Sequence, residues 1–247
     1  MEKLPFLAIF LWSILCVPAP CAGKPRYGII GGNEAEPHSR PYMAYLDIGC
    51  GGSLIAPSWV LSAAHCHGET IVILGAHDVT EAENTQQILG VESYHVHPEY
   101  DLDITNNDIM LLKLTSPAQL NRYVQPIELP TSTSDLPKDV PCSVAGWGLI
   151  DKIHGTDKLF ETNVTIVSRR LCHRYYPDLT DGMICAGSNT KITDSSQGDS
   201  GGPLICRGVQ EGIVSFGYHH PPGVYSRVGK YLDWIRQTIS EHEDPQI

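Results

Sequence analysis

The sequence predicts an all-β fold, an antiparallel sandwich or barrel, that ends in one α-helix. Short runs of β-branched and other apolar residues, for example 71–75 and 212–217, are interrupted by glycine and proline, of which the chain has 23 and 18. Many short strands separated by turn residues are typical of these architectures. Leu232, Ile235 and Ile239 recur with the spacing of one helix face, and this pattern predicts the C-terminal helix.

The N-terminus has the pattern of a secretory signal peptide over residues 1–23. An apolar run at 4–17 follows Lys3 and precedes small, turn-prone residues. The run is too short to cross a bilayer, and the alternative of a buried helix is disfavoured by Pro18 and Pro20. We therefore expect a secreted protein.

Composition excludes several classes of protein. The 247 residues are 42% hydrophobic and 18% charged, which argues against a disordered chain and against a coiled coil. The formal net charge is −11, so neither nucleic acid nor an anionic membrane is expected as a partner.

Residues 125–141 contain four prolines among Ser, Thr and Asp, and this composition predicts a linker that halves the chain.

Six cysteines remain after the signal region. An even number in an oxidising compartment predicts three disulfides, although spacing alone leaves fifteen possible pairings. A zinc site is the alternative, but no two cysteines have the CxxC spacing that such sites favour. The six residues are Cys50, Cys66, Cys142, Cys172, Cys185 and Cys206.

Three short segments carry candidate chemistry. His65 lies between small residues and Cys66, and Asp108 opens an apolar run; each alone is more often structural. Ser200 has glycines on both sides, in GDSGGP at 198–203, where a permissive backbone can present a hydroxyl and bare N–H groups. Together a serine, a histidine and an aspartate supply a nucleophile, a base and the group that orients it.

Five motifs in this order resemble those of trypsin-like (chymotrypsin-fold) serine proteases, and the resemblance covers residues 29–240. The motifs are IIGG at 29–32, AAHC at 63–66, NDI at 107–109, GWG at 146–148 and GDSGGP at 198–203. The cysteine pattern is similar to that of the granzyme and mast-cell protease branch. The resemblance implies two six-stranded antiparallel β-barrels, joined near 125–141, and a C-terminal helix.

The resemblance also implies roles for single residues. His65, Asp108 and Ser200 would form the catalytic triad, and the backbone N–H groups of Gly198 and Ser200 would form the oxyanion hole. Residues 24–28 would be an activation propeptide whose removal lets the new N-terminus at Ile29 pair with Asp199. The chain has Gly28 where trypsin-type zymogens have Arg or Lys. The implied disulfides are Cys50–Cys66, Cys142–Cys206 and Cys172–Cys185.

Substrate choice is expected in a pocket with Asp194 at its base. A carboxylate there favours cleavage after Arg or Lys. Ser196 stands where trypsins have a cysteine, so a chymase-like preference for aromatic residues is the alternative. A non-catalytic binding protein on the same fold is the alternative from another class. Further pocket residues implied by the resemblance are Ser215, Phe216, Gly217 and Gly223.

The remaining expectations concern ligands, partners and location. Residues 75–87 align with the calcium loop of trypsins, but Ala76 and Gln86 replace two carboxylate ligands, so we expect no calcium, no other metal and no cofactor. Asn163 begins a glycosylation sequon. Expected partners are protein or peptide substrates and protein protease inhibitors, and we expect a monomer. Secretion is favoured over granule storage, because acidic proteoglycan repels an acidic protein.

Overall fold

The computed structural model describes residues 32–148, 156–187, 199–217 and 222–243. Its first strand, β1, has two residues, Asn33–Glu34. Six strands then close an antiparallel barrel in the order β2-β3-β4-β7-β6-β5. They are β2 (Met43–Leu46), β3 (Cys50–Ala56), β4 (Trp59–Ser62), β5 (Ile71–Leu74), β6 (Gln87–Val96) and β7 (Met110–Leu114).

A second barrel follows the linker. Its strands are β8 (Pro141–Gly146), β9 (Phe160–Val167), β10 (Met183–Gly187), β11 (Pro203–Cys206), β12 (Val209–Phe216) and β13 (Gly223–Arg227). The order is β9-β10-β13-β12-β11-β8, and pairing of β8 with β9 closes it. The predicted architecture of two six-stranded antiparallel barrels is confirmed. One addition was not predicted: β1 joins β9 as a seventh strand of this sheet.

The predicted C-terminal helix is confirmed as α2 (Leu232–His242). Leu232 and Ile235 are buried in the same apolar cluster as the first barrel's Leu61 and Leu111, and Ile213 of β12 also belongs to it. Burying each such side chain stabilises the fold by about 1.5–3 kcal/mol. Because α2 follows the second barrel in sequence but packs on the first, it holds the two halves together.

A second helix, α1 (Arg169–Tyr175), was missing from the sequence prediction. Its seven residues are too few to show a helical period. Ser168 caps its first turn by accepting a hydrogen bond from the Leu171 N–H, and Cys172 is its buried residue. No helix among the residues the structure describes is long and apolar enough to cross a membrane.

Three disulfides join the pairs that the resemblance implies. Cys50–Cys66 lies in the first barrel, and Cys142–Cys206 and Cys172–Cys185 lie in the second. Residues 1–23 and 24–28, the expected signal peptide and propeptide, lie outside the described residues.

Candidate active site

His65 lies on a single 3₁₀ turn, Ala64–Cys66, directly after β4. The buried, small side chains of Ala63 and Ala64 leave room beside the imidazole, and the next residue, Cys66, is bonded to Cys50 of β3. The imidazole is therefore covalently anchored through its neighbour, while a quarter of its side chain (26%) remains exposed.

Asp108 holds His65 at two points. Its Oδ1 accepts a 2.9 Å hydrogen bond from the backbone N–H of His65, and its Oδ2 lies 2.8 Å from Nδ1 of the ring. The carboxylate is completely buried. Because an ionised carboxylate only accepts hydrogen bonds, this contact assigns the proton to Nδ1 and leaves the lone pair of Nε2 available.

Two serines of the second barrel also contact Asp108. The Ser215 hydroxyl donates to Asp108 Oδ2, and the Ser226 hydroxyl donates to the Asp108 carbonyl oxygen at 2.6 Å. Ser215 is also one of the pocket residues that the resemblance implies, and in the structure its hydroxyl contacts the candidate triad. Ser226 was missed, because a serine within an apolar strand matches no motif.

Ser200 lies in the loop before β11, and this loop packs against the first barrel. The Gly51 N–H donates to the Ser200 carbonyl oxygen at 2.7 Å, and the Gly201 N–H donates to Val214 O at 2.9 Å. Gly201 has a φ of +80°, and a Cβ on it would lie 2.2 Å from Ser62 Oγ. Glycine is required here by both the left-handed backbone and the close approach.

The GWG motif at 146–148 makes room for a buried carboxylate. Asp199 is 1% exposed, and its Oδ1 accepts a 3.0 Å hydrogen bond from the Gly148 N–H. A Cβ on Gly146 or Gly148 would lie 2.2 or 2.6 Å from that oxygen. Ile29, its expected partner, lies outside the described residues, as do Asp194 and Gly198.

The described part of the predicted substrate pocket borders α1. Phe216 packs edge-on against Tyr176, with ring centroids 5.7 Å apart, and the Tyr176 hydroxyl donates to Pro222 O at 2.8 Å. Gly223 begins β13 and pairs with Ala186, and Gly217 is exposed.

In the loop aligned with the trypsin calcium site, a side-chain amide lies between carbonyl groups. Nε2 of Gln86 donates to the carbonyl oxygens of Asp78 and Glu81, each at 3.0 Å. The Glu83 carboxylate accepts from the backbone N–H groups of His77 and Asp78.

A second group of potential metal ligands lies beside the candidate triad. Ligand atoms of Cys50, His65 and Cys66 lie within 4.8 Å of one another, but the two sulfurs are bonded to each other and are not thiolates.

The sequon residue Asn163 lies on β9, where its side chain is exposed. The hydroxyl of Thr165, the third sequon residue, donates to Gly187 O at 3.2 Å.

Comparison with known proteins identifies the family. The Trypsin family model matches residues 29–235. Duodenase-1 of Bos taurus is 43% identical over 247 residues, covering 95% of this chain and 97% of the relative. Cathepsin G of Homo sapiens is 43% identical, with 85% and 87% covered, and granzyme B of Homo sapiens is 41% identical, with 95% and 98% covered. The chain belongs to the trypsin family of serine proteases, and is a serine-type endopeptidase that acts on protein or peptide substrates.

Proposed function

We propose that the protein is a secreted endopeptidase whose catalytic triad is Ser200, His65 and Asp108, and that it cleaves after Arg or Lys. The observation that carries the triad is the two-point contact between Asp108 and His65, which fixes both the position of the ring and its tautomer. The Ser200 loop, held on Gly51 of the same barrel, supports the third member.

The proposed chemistry follows from that tautomer. Nε2 of His65 takes the Ser200 proton as Oγ attacks the substrate carbonyl, and then donates it to the leaving amine as the C–N bond breaks. Asp108, with no exposed surface, stabilises the imidazolium that forms between these steps. Water then hydrolyses the acyl-enzyme by the same proton transfers in reverse.

The backbone N–H groups of Ser200 and Gly198 are the proposed oxyanion hole. Removing one donor of such a site typically costs about 3–4 kcal/mol of transition-state stabilisation. Asp199 directly precedes Ser200, and its buried carboxylate accepts a hydrogen bond from the Gly148 N–H. Removal of residues 24–28 would supply the α-amine of Ile29 to that carboxylate, so we propose that the chain is made as a zymogen.

Specificity for Arg or Lys rests on Asp194. A cationic side chain that enters a pocket loses its hydration, and a carboxylate at the base offsets that cost. The resemblance places Gly217 and Gly223 in the walls of the same pocket, where the lack of a side chain would admit a long substrate side chain. Cleavage after Tyr, Phe or Leu is the outcome expected if the pocket is closed above Asp194.

The experiment uses protein trimmed so that Ile29 is the first residue. A fluorescent organophosphonate should label Ser200, and a positional-scanning peptide library should give cleavage after Arg and Lys. Asp194→Ser should reduce selectivity for Arg and Lys by at least about 100-fold and leave labelling intact. Trimmed protein that is not labelled would favour a binding protein on this fold, whereas a labelled enzyme that prefers aromatic residues would overturn only the specificity.

Further proposals concern the protein's surroundings. The signal-like N-terminus supports secretion, with storage in secretory granules as the alternative. Protein protease inhibitors are the proposed partners besides substrates, and the proposed state is a monomer. Asn163 is exposed, as glycosylation requires, and mass measurement before and after glycosidase treatment tests its use.

A further inference from the structure

Three consecutive residues of the first barrel, 106–108, each accept a hydrogen bond from a hydroxyl group of the C-terminal half of the chain. These bonds are separate from the contact of Ser215 with the Asp108 carboxylate. Thr180 Oγ1 donates to Asn106 Oδ1 at 2.7 Å. Tyr231 donates to Asn107 Oδ1 at 3.2 Å, and Ser226 donates to the Asp108 carbonyl oxygen at 2.6 Å. We propose that Ser226, Tyr231 and Thr180 are positioning residues that set the place of Asp108 relative to Ser200. This inference rests on the proposed catalytic triad.

The backbone of this segment needs external support. Thr105 and Asn107 both have a φ of 53°, in the left-handed region that is rare for residues other than glycine and unusual for a β-branched one. Such conformations cost of order 1–3 kcal/mol each and persist where the surroundings determine them. The Asn107 amide is held at both ends, since its Nδ2 also donates to Glu99 O at 2.7 Å.

Two of the three donors, Ser226 and Tyr231, are protected from water, whereas Thr180 is half-buried. Ser226 and Tyr231 are each 3% exposed. Burial, and then the nearby negative charge of Asp108, raise the pKa of the Tyr231 hydroxyl far above its ordinary value. The Tyr231 proton is shared with Gly182 O, 3.4 Å away, so this tyrosine links residues of both barrels.

The location of these contacts gives them a catalytic consequence. Asp108 and His65 belong to the first barrel, and Ser200 belongs to the second, so the triad is completed across the contact between barrels. An error of about 1 Å in such a geometry can reduce turnover 100-fold. The Ser226 hydroxyl fixes the backbone of Asp108 directly to β13 of the barrel that carries Ser200. The Tyr231 and Thr180 hydroxyls hold the side chains of the two residues before Asp108.

The chain offers a matched control for Ser226. Ser53 of β3 donates its hydroxyl to Gln210 Oε1 of β12 at 2.6 Å, and it too is buried and joins the two barrels. Ser226→Ala and Ser53→Ala therefore remove the same group from equivalent bonds, but only Ser226 touches the segment 106–108. For Tyr231→Phe the control is Tyr94→Phe, whose hydroxyl contacts Thr70 within the first barrel.

The test is steady-state kinetics on the trimmed enzyme, with unfolding measured in parallel. Ser226→Ala should lower kcat ten- to a hundredfold, on the order expected for a misplaced triad, and change KM less than about twofold. The acid limb of its kcat/KM profile should move to lower pH, because a displaced Asp108 stabilises the His65 imidazolium less. Tyr231→Phe and Thr180→Val should show the same pattern more weakly. Ser226→Thr keeps a hydroxyl and should therefore keep the wild-type kcat. The control Ser53→Ala should leave both kcat and the pH profile unchanged.

Two results would overturn the inference in distinguishable ways. If wild-type protein cleaves peptides and the Ser226, Tyr231 and Thr180 variants all keep its kcat and pH profile, the hydroxyls have only a structural role. If trimmed wild-type protein neither cleaves peptides nor is labelled at Ser200, the proposed function fails, and this inference fails with it. If Ser226→Ala does not fold, the kcat and pH profiles of Tyr231→Phe and Thr180→Val decide between these outcomes.

Discussion

The backbone N–H of Gly51 donates a 2.7 Å hydrogen bond to the carbonyl oxygen of Ser200. Strand β3 of the first barrel thus holds the backbone of Ser200, which belongs to the second barrel. The two backbones approach closely here, because a Cβ on Gly51 would lie only 3.2 Å from the Gly202 backbone.

Gly201→Ala should disrupt this contact. The new methyl would meet Ser62 Oγ at 2.2 Å and Gly51 O at 2.5 Å, in a backbone with positive φ. We expect a loss of at least about 3 kcal/mol of unfolding free energy and of nearly all activity. Urea denaturation and active-site titration measure the two effects. Gly208→Ala is the control, since Gly208 has a φ of +84° but open space around it, and it should cost only about 1–2 kcal/mol. Equal costs for the two variants would contradict the steric argument.

Asp108→Asn should keep the fold and remove most of the activity. An amide at this position no longer enforces the tautomer in which Nδ1 of His65 carries the proton, and kcat should fall by about 10⁴-fold. Peptide hydrolysis and the rate of phosphonate labelling both report the loss. Asp103→Asn, an exposed carboxylate five residues earlier, is the control and should retain wild-type kinetics. A loss of less than tenfold in Asp108→Asn would argue against Asp108 as the orienting group.

Removal of the Cys50–Cys66 disulfide should reduce activity more than its effect on stability explains. The Cys172–Cys185 disulfide is a matched control, because the two bonds span 16 and 13 residues and close loops of similar entropy. Replacing both cysteines of either pair should cost about 2–4 kcal/mol, but only loss of Cys50–Cys66 frees the turn that carries His65. Specific activity at a temperature where both variants are folded makes the comparison. Equal activities would show that the bond has no role in placing the imidazole.

Asp135, in the linker between barrels, should make stability depend on pH. The hydrogen bond from Arg169 lowers its pKa most; the Arg169 and Arg227 charges add to this, and burial opposes it. A carboxyl group with a lower pKa in the folded state stabilises the fold above its unfolded pKa, and this contribution is lost as pH falls through the folded value. Asp135→Asn should therefore reduce the unfolding free energy at pH 7, with the difference from wild type shrinking toward about pH 2.

Asp139→Asn is the control for this measurement. Asp139 pairs with Lys138 at the surface, where both side chains are more than half exposed, so its variant should change stability little at either pH. An Asp135→Asn variant with the same stability deficit at both pH values would contradict the electrostatic explanation.

The parts of the fold that sequence predicts are those with a local signal. The period of Leu232 and Ile235 predicts α2, and the glycines around Ser200 predict a loop with an unusual backbone. The contacts of Ser226 and Tyr231 with segment 106–108 left no such signal, because they join residues more than 110 positions apart. Each is an ordinary strand or helix-end residue until the barrels meet. For Gln86, the sequence indicated a missing calcium ligand but not that its amide donates to the carbonyl groups.

The Gln86 amide has a consequence for where the enzyme can work. Because Nε2 of Gln86 donates to two carbonyl oxygens of this loop, we expect the loop to be ordered without a bound cation. Thermal stability should then be the same in EDTA as in millimolar calcium, and we expect equal durability in a calcium-poor vesicle and in extracellular fluid. Gln86→Glu should make the stability of the loop depend on a divalent cation. Two carbonyl oxygens would then face a carboxylate, and a divalent cation can bind all three groups.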